Sequence, residues 1–415
     1  MYYGWYVVMM AAAVYAVVMG TTFSAFGLFV VPVSEDLNLS RADMNTALIL
    51  LNIGSALLAP VVGRMLDRIS ARLIMIASAL LAGLSFTLLS FSTSLLLSGV
   101  VMALMLAAAV QGGCTLTMSM LLARWFTARR GRAMILAMMG ASLGSIFIVP
   151  LIGWLIEHEG WRATLLIIGV FDMVFLLALA LVVRERPRPG ELETAAVSDD
   201  AEASKDLEGQ SPASIKFLLS MPQFWTLGIS CAIAMAMMQT IIITIVPLAV
   251  AAGLTTVQAA GLISITGVAA LASKILLAVV ADRFDRILML AVLFALGTIV
   301  SILLVVGDTY LLLVACALML GISSSAAAPI FYALLADRFG MSSFGTVRGL
   351  MSLLIAVASA VAIRLAGEAF DLMGNYDYVF YTFIGLGGLA VVLILSTWLT
   401  RTLAADDSRP VSSSV

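Results

Sequence analysis

Twelve apolar stretches, each long enough to cross a bilayer, constrain the fold of this chain more than any other feature. They cover approximately residues 5–31, 44–65, 73–91, 95–122, 133–157, 162–183, 222–250, 258–281, 287–306, 311–336, 346–370 and 376–400. Stretches that are apolar on every side favour helices over barrel strands, and about 20 such residues span the hydrocarbon core. The chain is 62% apolar, whereas soluble domains are about 45–50% apolar. The sequence therefore predicts an all-α, polytopic membrane protein with twelve transmembrane helices.

The positive charges are distributed unevenly between the loops. If both termini are cytoplasmic, 18 of the 22 Lys and Arg residues lie in cytoplasmic loops or tails. Arg41 and Arg162 lie on the other side, and Lys274 and Arg364 lie within spans. Because cytoplasmic loops carry the excess of Lys and Arg, we expect a multi-pass protein of the inner or plasma membrane with both termini in the cytoplasm.

A polar segment divides the spans into six and six, and the two halves repeat. Residues 184–214 hold three prolines, eight acidic and four basic residues, a composition that cannot bury enough apolar surface to fold. Asp67 and Asp282 are 215 residues apart, and Glu157 and Asp371 are 214 apart. A constant offset indicates a duplication. We therefore predict two pseudo-symmetric six-helix bundles at 1–183 and 215–401, a flexible cytoplasmic linker at 184–214 and a disordered cytoplasmic tail at 402–415.

The loop after the second span carries a motif that recurs in the second half. The segment GRMLDRISAR at 63–72 resembles the major facilitator superfamily signature G-x-x-x-D-R-x-G-x-R, and its counterpart keeps Asp282 and Arg283 but has Ala278 for the glycine. The resemblance covers all twelve spans and implies a central cavity between two halves that rock against each other. The expected cytoplasmic gate consists of the pairs Asp67–Arg348 and Asp282–Arg132, together with Arg68 and Arg283.

Further motifs resemble the monocarboxylate transporter and oxalate/formate antiporter branch of that superfamily. They are Tyr3-Gly4-Trp5, the segment RWFTARRGRA at 124–133, Gly140-x-x-x-Gly144 with Pro150 and Gly153, and Gly160-Trp161-Arg162. In that branch an arginine eight residues before the motif aspartate of span eight contacts the substrate carboxylate, and Lys274 occupies this position. The proton-coupling aspartate of animal members is Ala270 here, and their span-one lysine aligns with Gly27. The resemblance thus implies a carboxylate substrate without implying the coupling of the animal members.

Lys274 is a lone cation inside an apolar span. Its Cα lies about 12 Å along the helix from Asp282, near the bilayer centre, where a lysine costs about 2.5–3.5 kcal/mol on insertion scales. One turn away on either side are Ala270 and Ala278, so its own helix offers no counter-ion and leaves space. We therefore expect Lys274 to bind a substrate anion, the alternative being a structural lysine that is neutral or paired with an acid of another helix.

Other polar residues within the spans have two possible roles each. Arg364 either reaches the cavity, where a second cation would favour a dianion or bulky acid, or pairs with Glu368 one turn away. Asp172, halfway along span six, is a candidate proton-coupling site, because a buried carboxyl without a partner favours its protonated form; the alternative is a packed acid without a transport role. Further residues could bind either the carboxylate or a neighbouring helix: Asn52, Gln111, Gln239, Ser323 and Tyr332.

These features favour a secondary transporter for a small organic anion, with proton-coupled monocarboxylate uptake as the first choice. An oxalate/formate-like anion antiporter is the second choice, and a non-transporting sensor with the same fold is the third. The single histidine, His158, and the absence of a Walker-type motif argue against metal, catalytic and ATP-dependent chemistry, so we expect neither an enzyme nor a cofactor. The expected partners are the organic anion, protons if transport is coupled, and the lipid bilayer, but not nucleic acid. The expected functional unit is a monomer.

Overall fold

Within the residues that the structure describes, twelve transmembrane helices make up the fold. The computed structural model describes residues 3–126, 130–185, 215–280, 284–339 and 344–406. In chain order the helices are α1 (Gly4–Leu37), α2 (Arg41–Arg68), α3 (Ala71–Phe91), α4 (Leu95–Trp125), α5 and α6 (together Arg130–Val182), α7 (Pro222–Ala251), α8 (Thr256–Val280), α9 (Arg286–Val306), α10 (Tyr310–Phe339), α11 (Phe344–Met373) and α12 (Asp377–Asp406), with a short helix Ile215–Ser220 before α7.

The boundary between α5 and α6 is Gly160. In the described chain, 11 continuous helical stretches are long and apolar enough to cross a membrane. One of them, Arg130–Val182, has 53 residues and would be about 80 Å long if straight, far more than one crossing requires. Its backbone leaves the helical region at Gly160, with φ 77° and ψ 164°, a conformation that glycine adopts without strain. The stretch therefore consists of two helices, which confirms the twelve predicted.

The two halves share one packing scheme. In the first half α1 packs on α5, α2 on α4 and α3 on α6; in the second, α7 packs on α11, α8 on α10 and α9 on α12. These pairs are equivalent under the sequence repeat, so the predicted pseudo-symmetric bundles are confirmed. The halves meet through α2 with α11, α5 with α8 and α1 with α7.

The glycine pair predicted in span five sets the distance between α1 and α5. A Cβ atom on Gly140 would lie 1.9 Å from the carbonyl oxygen of Ala12, and one on Gly144 would lie 2.1 Å from that of Ala16. Small residues allow such close backbone contact between membrane helices. Outward-facing side chains such as Leu96 and Leu311 are largely exposed, as expected of surfaces that face lipid.

The domain boundaries stay predictions for the most part. The linker residues 186–214 and the tail residues 407–415 lie outside the described residues. Helix α6 ends at Val182, just before the predicted start of the linker. Helix α12 continues to Asp406, so the tail predicted from residue 402 begins within a helix, because the segment 402–406 contains no glycine or proline to end it.

Candidate functional site

Two carboxylates join the halves at one end of the bundle. This end, which we call the opposite end, is formed by the loops near residues 38–40, 158–160, 252–255 and 374–376. Asp371 of α11 accepts hydrogen bonds from the backbone amides of Arg41 (2.8 Å) and Ala42 (2.9 Å) at the start of α2. Glu157 of α5 accepts one from the amide of Val257 (2.9 Å) at the start of α8. A carboxylate satisfies the free amides of a helix N-terminus and suits its positive dipole. We call these contacts the Asp371 latch and the Glu157 latch; their carboxylates are repeat mates.

Arg364 belongs to the contact between α11 and α2. Its Nε donates to Glu368 Oε1 at 2.8 Å, and its Nη1 donates to Thr46 Oγ1 at 2.6 Å and to the Ala42 carbonyl at 3.0 Å. Asp43 Oδ1 lies 3.9 Å from the same Nη1. These contacts favour the ion pair with Glu368 over a role in the cavity, with a second carboxylate nearby, and the role of Arg364 stays a prediction.

Arg41 adds to the Asp371 latch. Its guanidinium lies 3.8 Å from the ring centre of Phe370, and its Nη1 donates to the Tyr376 hydroxyl at 3.2 Å. Tyr376 is 2% exposed, and this burial raises the pKa of its phenol, an effect that the nearby Arg41 opposes. The Asp371 latch is thus a network, whereas the Glu157 latch has one hydrogen bond among the described residues.

Three of the predicted uncharged site residues line one cavity between the halves. This central cavity lies between α2, α7, α10 and α11, and Asn52, Gln239 and Tyr332 are among its lining residues. Its wall is otherwise mostly aliphatic, and the buried hydroxyl of Ser359 has no hydrogen-bond partner within the described residues. The cavity offers a few polar groups on an apolar surface, as small-molecule sites generally do.

The predicted gate residues lie at the other end, called the basic end because the loops there carry most of the arginines. Asp67 and Arg348 are both exposed, and the Arg348 guanidinium stacks 4.4 Å above the ring of Tyr332. Among the described side chains no ion pair joins Asp67 to Arg348. Arg68 and Arg132 are exposed, while Asp282 and Arg283 lie outside the described residues. The gate contacts stay predictions for a conformation closed at the basic end.

Lys274 points from α8 toward α5 in the other half. Its Nζ donates to Ser142 Oγ at 3.1 Å, and among the described residues no carboxylate forms an ion pair with it. A helical side chain leans toward the N-terminus of its helix, here toward Gly267. A Cβ atom on Gly267 would lie 3.0 Å from the Ser142 carbonyl oxygen, so α8 and α5 approach closely enough for the lysine to reach across. The cation lies at the interface of the halves, although it is not among the residues that line the central cavity.

Hydroxyl groups continue from Ser142 along the same interface. The Oγ atoms of Ser24 and Ser145 are 2.9 Å apart, and Ser264 Oγ donates to the Ser145 carbonyl at 3.2 Å. We call Ser24, Ser142, Ser145 and Ser264 the hydroxyl seam; none of them was among the predicted site residues. Ser24 ends a π-helical turn of α1, Gly20–Ser24, and such turns often occur at functional sites. The polar run Gly20-Thr21-Thr22 within span one was the available sequence signal.

Asp172 lies inside the first bundle. It is 1% exposed, its Oδ2 accepts a hydrogen bond from Thr21 Oγ1 at 2.9 Å, and its Oδ1 has no partner within the described residues. Thr21 belongs to the π-helical turn and also lines an apolar cavity between helices of the first half. Asp172 is therefore connected to α1, but it does not line the central cavity.

Two further predicted residues form local contacts. Gln111 Oε1 accepts from Thr115 Oγ1 at 2.8 Å within a π-helical turn of α4, and Ser323 Oγ donates to the Leu320 carbonyl of its own helix at 3.2 Å. Neither lines the central cavity. Across the described residues no group of three or more His, Cys, Asp or Glu side chains is placed to hold a metal ion.

Comparisons with known proteins agree with this architecture. A family model described as the Major Facilitator Superfamily matches residues 11–363 and 269–413. The chain is 22% identical over 408 residues to the uncharacterized MFS-type transporter YcxA of Bacillus subtilis (strain 168), with 97% of each chain covered. It is 25% identical over 373 residues to monocarboxylate transporter 12-B of Danio rerio, with 83% of this chain and 75% of the relative covered. The solved structure of the nucleoside transporter NupG aligns with a TM-score of 0.75 at 12% identity, covering 94% of this chain and 99% of that one, which shows a shared fold.

Proposed function

The chain belongs to the Major Facilitator Superfamily, and we propose that it is a secondary transporter that moves a small monocarboxylate across the membrane by alternating access. One observation carries the proposal. Lys274 places an ammonium at the interface of the halves, where its hydrogen-bond partner is the neutral hydroxyl of Ser142. Charged side chains within membrane spans generally pair with an opposite charge, and a substrate carboxylate can supply one.

The charge of the neighbouring groups supports a monoanion over a dianion. Arg364, the other basic residue that lies away from the ends of a predicted span, is paired with Glu368 and lies near Asp43. Its charge is therefore already balanced, and Lys274 provides one positive charge for the substrate. The amide and hydroxyl groups of Asn52, Gln239 and Tyr332 would bind the uncharged part of the molecule in the central cavity. The relatives whose names include monocarboxylate transporter support the same substrate class.

Proton coupling is the first choice for the driving force. Asp172 contacts α1 through Thr21, and its other carboxyl oxygen has no hydrogen-bond partner among the described residues, so it could take up and release a proton as α1 moves. Electroneutral anion exchange is the second choice, because the position of the coupling aspartate in animal members is Ala270. We expect the monomer to be the functional unit and the basic end to be cytoplasmic.

Uptake into proteoliposomes tests the proposal. Purified protein would be supplied with labelled lactate, pyruvate, benzoate, oxalate and uridine, with and without an imposed pH gradient. We expect uptake of at least one of the three monocarboxylates, stimulated by an inward proton gradient, and none of uridine. Exchange that is insensitive to the gradient would replace the symport mechanism with antiport. Binding without any uptake would indicate a sensor, and oxalate as the sole substrate would contradict the monoanion assignment.

A further inference from the structure

We propose that Ser142 is the second ligand of the substrate carboxylate, so that one oxygen binds the Lys274 ammonium and the other binds the Ser142 hydroxyl. This inference rests on the proposed function and specifies the chemistry of its anion site. Lysine presents a compact charge, unlike arginine, whose planar fork binds both carboxylate oxygens. A hydroxyl beside the ammonium would supply the second, directed donor.

The hydrogen-bond inventory of Ser142 supports this role. Its side chain is 5% exposed, and its Oγ accepts the hydrogen bond from Lys274 Nζ, which leaves its own O–H to donate. Serines in membrane helices commonly donate this proton to a carbonyl one turn back. Ser145 and Ser264 do so, to Ala141 and Ala260. Ser142 forms no such bond within the described structure, so its hydroxyl proton is free for a ligand.

The position of the pair between the halves adds a second argument. Lys274 belongs to α8 of the second half and Ser142 to α5 of the first, and the two helices are in close contact at Gly267. A carboxylate bound to both would bridge the halves at their interface. A primary amide lacks the negative charge that the Lys274 ammonium would bind, so the pair should discriminate strongly against amides.

A double-mutant cycle with arginine distinguishes a ligand from a packing residue. Binding of labelled lactate, pyruvate and benzoate to purified protein would be measured for wild type, Ser142→Ala, Lys274→Arg and the double variant. A hydrogen bond to a charged group corresponds to a loss of about ten- to a hundredfold in affinity, and we expect this loss for Ser142→Ala. In the Lys274→Arg background, Ser142→Ala should reduce the affinity by less than about threefold, because the guanidinium of the arginine supplies both hydrogen-bond donors. An equal loss in both backgrounds would mean that Ser142 acts through packing and would overturn the proposal.

Controls separate this inference from the function on which it rests. Ser85→Ala, on α3 of the first half and outside the hydroxyl seam, should bind within about twofold of wild type, because that hydroxyl donates to the Leu81 carbonyl of its own helix. Thermal unfolding of each purified variant would establish that it is folded.

Two outcomes distinguish this inference from the anion site itself. If Ser142→Ala binds like wild type while Lys274→Ala loses binding, the assignment of Ser142 as the second ligand is wrong and the anion site at Lys274 stands. If Lys274→Ala binds all three acids at full affinity, the anion site itself is wrong. Benzamide and lactamide, which lack the negative charge, should compete at least a hundredfold more weakly than the acids, and equal competition would contradict an anion site at this pair.

Discussion

Lys274 is the side chain on which the anion site depends, and we expect its removal to have the largest effect of any single change. Loss of one member of a buried charge pair costs about 3–5 kcal/mol, which corresponds to a loss of affinity of at least a hundredfold. Lys274→Ala should therefore nearly abolish monocarboxylate binding, whereas Lys274→Arg should retain part of it. Binding measured on purified protein tests this, with the exposed Lys216→Ala as the charge-matched control. Normal affinity in Lys274→Ala would contradict the prediction.

Asp172 tests the coupling separately from the anion site. Asp172→Asn keeps an oxygen that can accept the hydrogen bond from Thr21, but it cannot exchange a proton. If Asp172 carries the coupled proton, uptake driven by a pH gradient should be at least tenfold slower in the variant, whereas substrate counterflow should persist. Asp308→Asn, an exposed acid in the loop before α10, serves as the control. Unchanged stimulation by the gradient would assign the proton to Lys274 or to the substrate.

At the scale of residues, the sequence identifies candidate charged site residues better than candidate hydroxyl-bearing ones. Lys274 is recognisable because a cation in an apolar span is rare and needs an explanation. Ser142 is not, because a serine within a span can bond its own helix, another helix or a ligand, and only the reach of Lys274 across the interface selects one of these. Arg364 had two possible roles, and the contacts of its guanidinium with Glu368 and Thr46 favour the structural one.

The two latches join pairs of helices, and they should differ in strength. Asp371 accepts from two amides of α2 and is supported by Arg41 and Tyr376, whereas Glu157 accepts from one amide of α8. Removing a carboxylate from a helix N-terminus costs up to about 2 kcal/mol, or a five- to thirtyfold change in an equilibrium. Asp371→Asn should thus increase access to the cavity from the opposite end by about that factor, and Glu157→Gln by less.

A cysteine reporter in the central cavity measures this effect. Ser352→Cys, at an exposed position that lines the central cavity, would be introduced after the buried Cys114, Cys231 and Cys316 are replaced by alanine, and its labelling by a membrane-impermeant reagent would be followed from each side. Asp36→Asn, which removes an exposed acid bonded to Arg162 within the first half, is the matched control. Equal effects of the two latch variants would show that the network around Asp371 contributes nothing.

At the scale of elements, the spans could be predicted because apolar length alone determines them. The irregular turns within these helices could not be predicted. The π-helical turn at Gly20–Ser24 places Thr21 toward Asp172 and Ser24 toward Ser145, yet its sequence is compatible with a regular helix. The division of α5 from α6 by a single glycine was predictable to within a few residues, because the polar segment around His158 interrupts the apolar pattern.

The whole molecule has an orientation that follows from its charges. The positive-inside distribution predicts that the linker is cytoplasmic and that the loop before α6 is external. Single cysteines at Asp200 and at the exposed His158 should therefore be labelled from opposite sides of right-side-out cells, His158→Cys directly and Asp200→Cys only after permeabilisation. The reverse pattern would invert the topology and with it the direction in which the basic end opens.

Alternating access requires that contacts at one end of the molecule form as those at the other break. In the described conformation the latches are formed at the opposite end, while Asp67 is exposed and Arg348 stacks on Tyr332. We expect the other conformation to bring Asp67 to Arg348 and to the N-terminal end of α11, a contact of about 1 kcal/mol at an exposed site.

Asp67→Asn should then disfavour the conformation closed at the basic end by about fivefold and slow transport. Because the conformation open at the basic end is already populated, its population can increase little. The clearer result is a loss of Ser352→Cys labelling from the opposite end. Asp371→Asn should shift the same reporter in the other direction, and the double variant should return it toward the wild-type value. Additive shifts of this kind are the signature of two contacts that bias one conformational equilibrium. Changes in the same direction, or no change in Asp67→Asn, would contradict an Asp67 gate at the basic end.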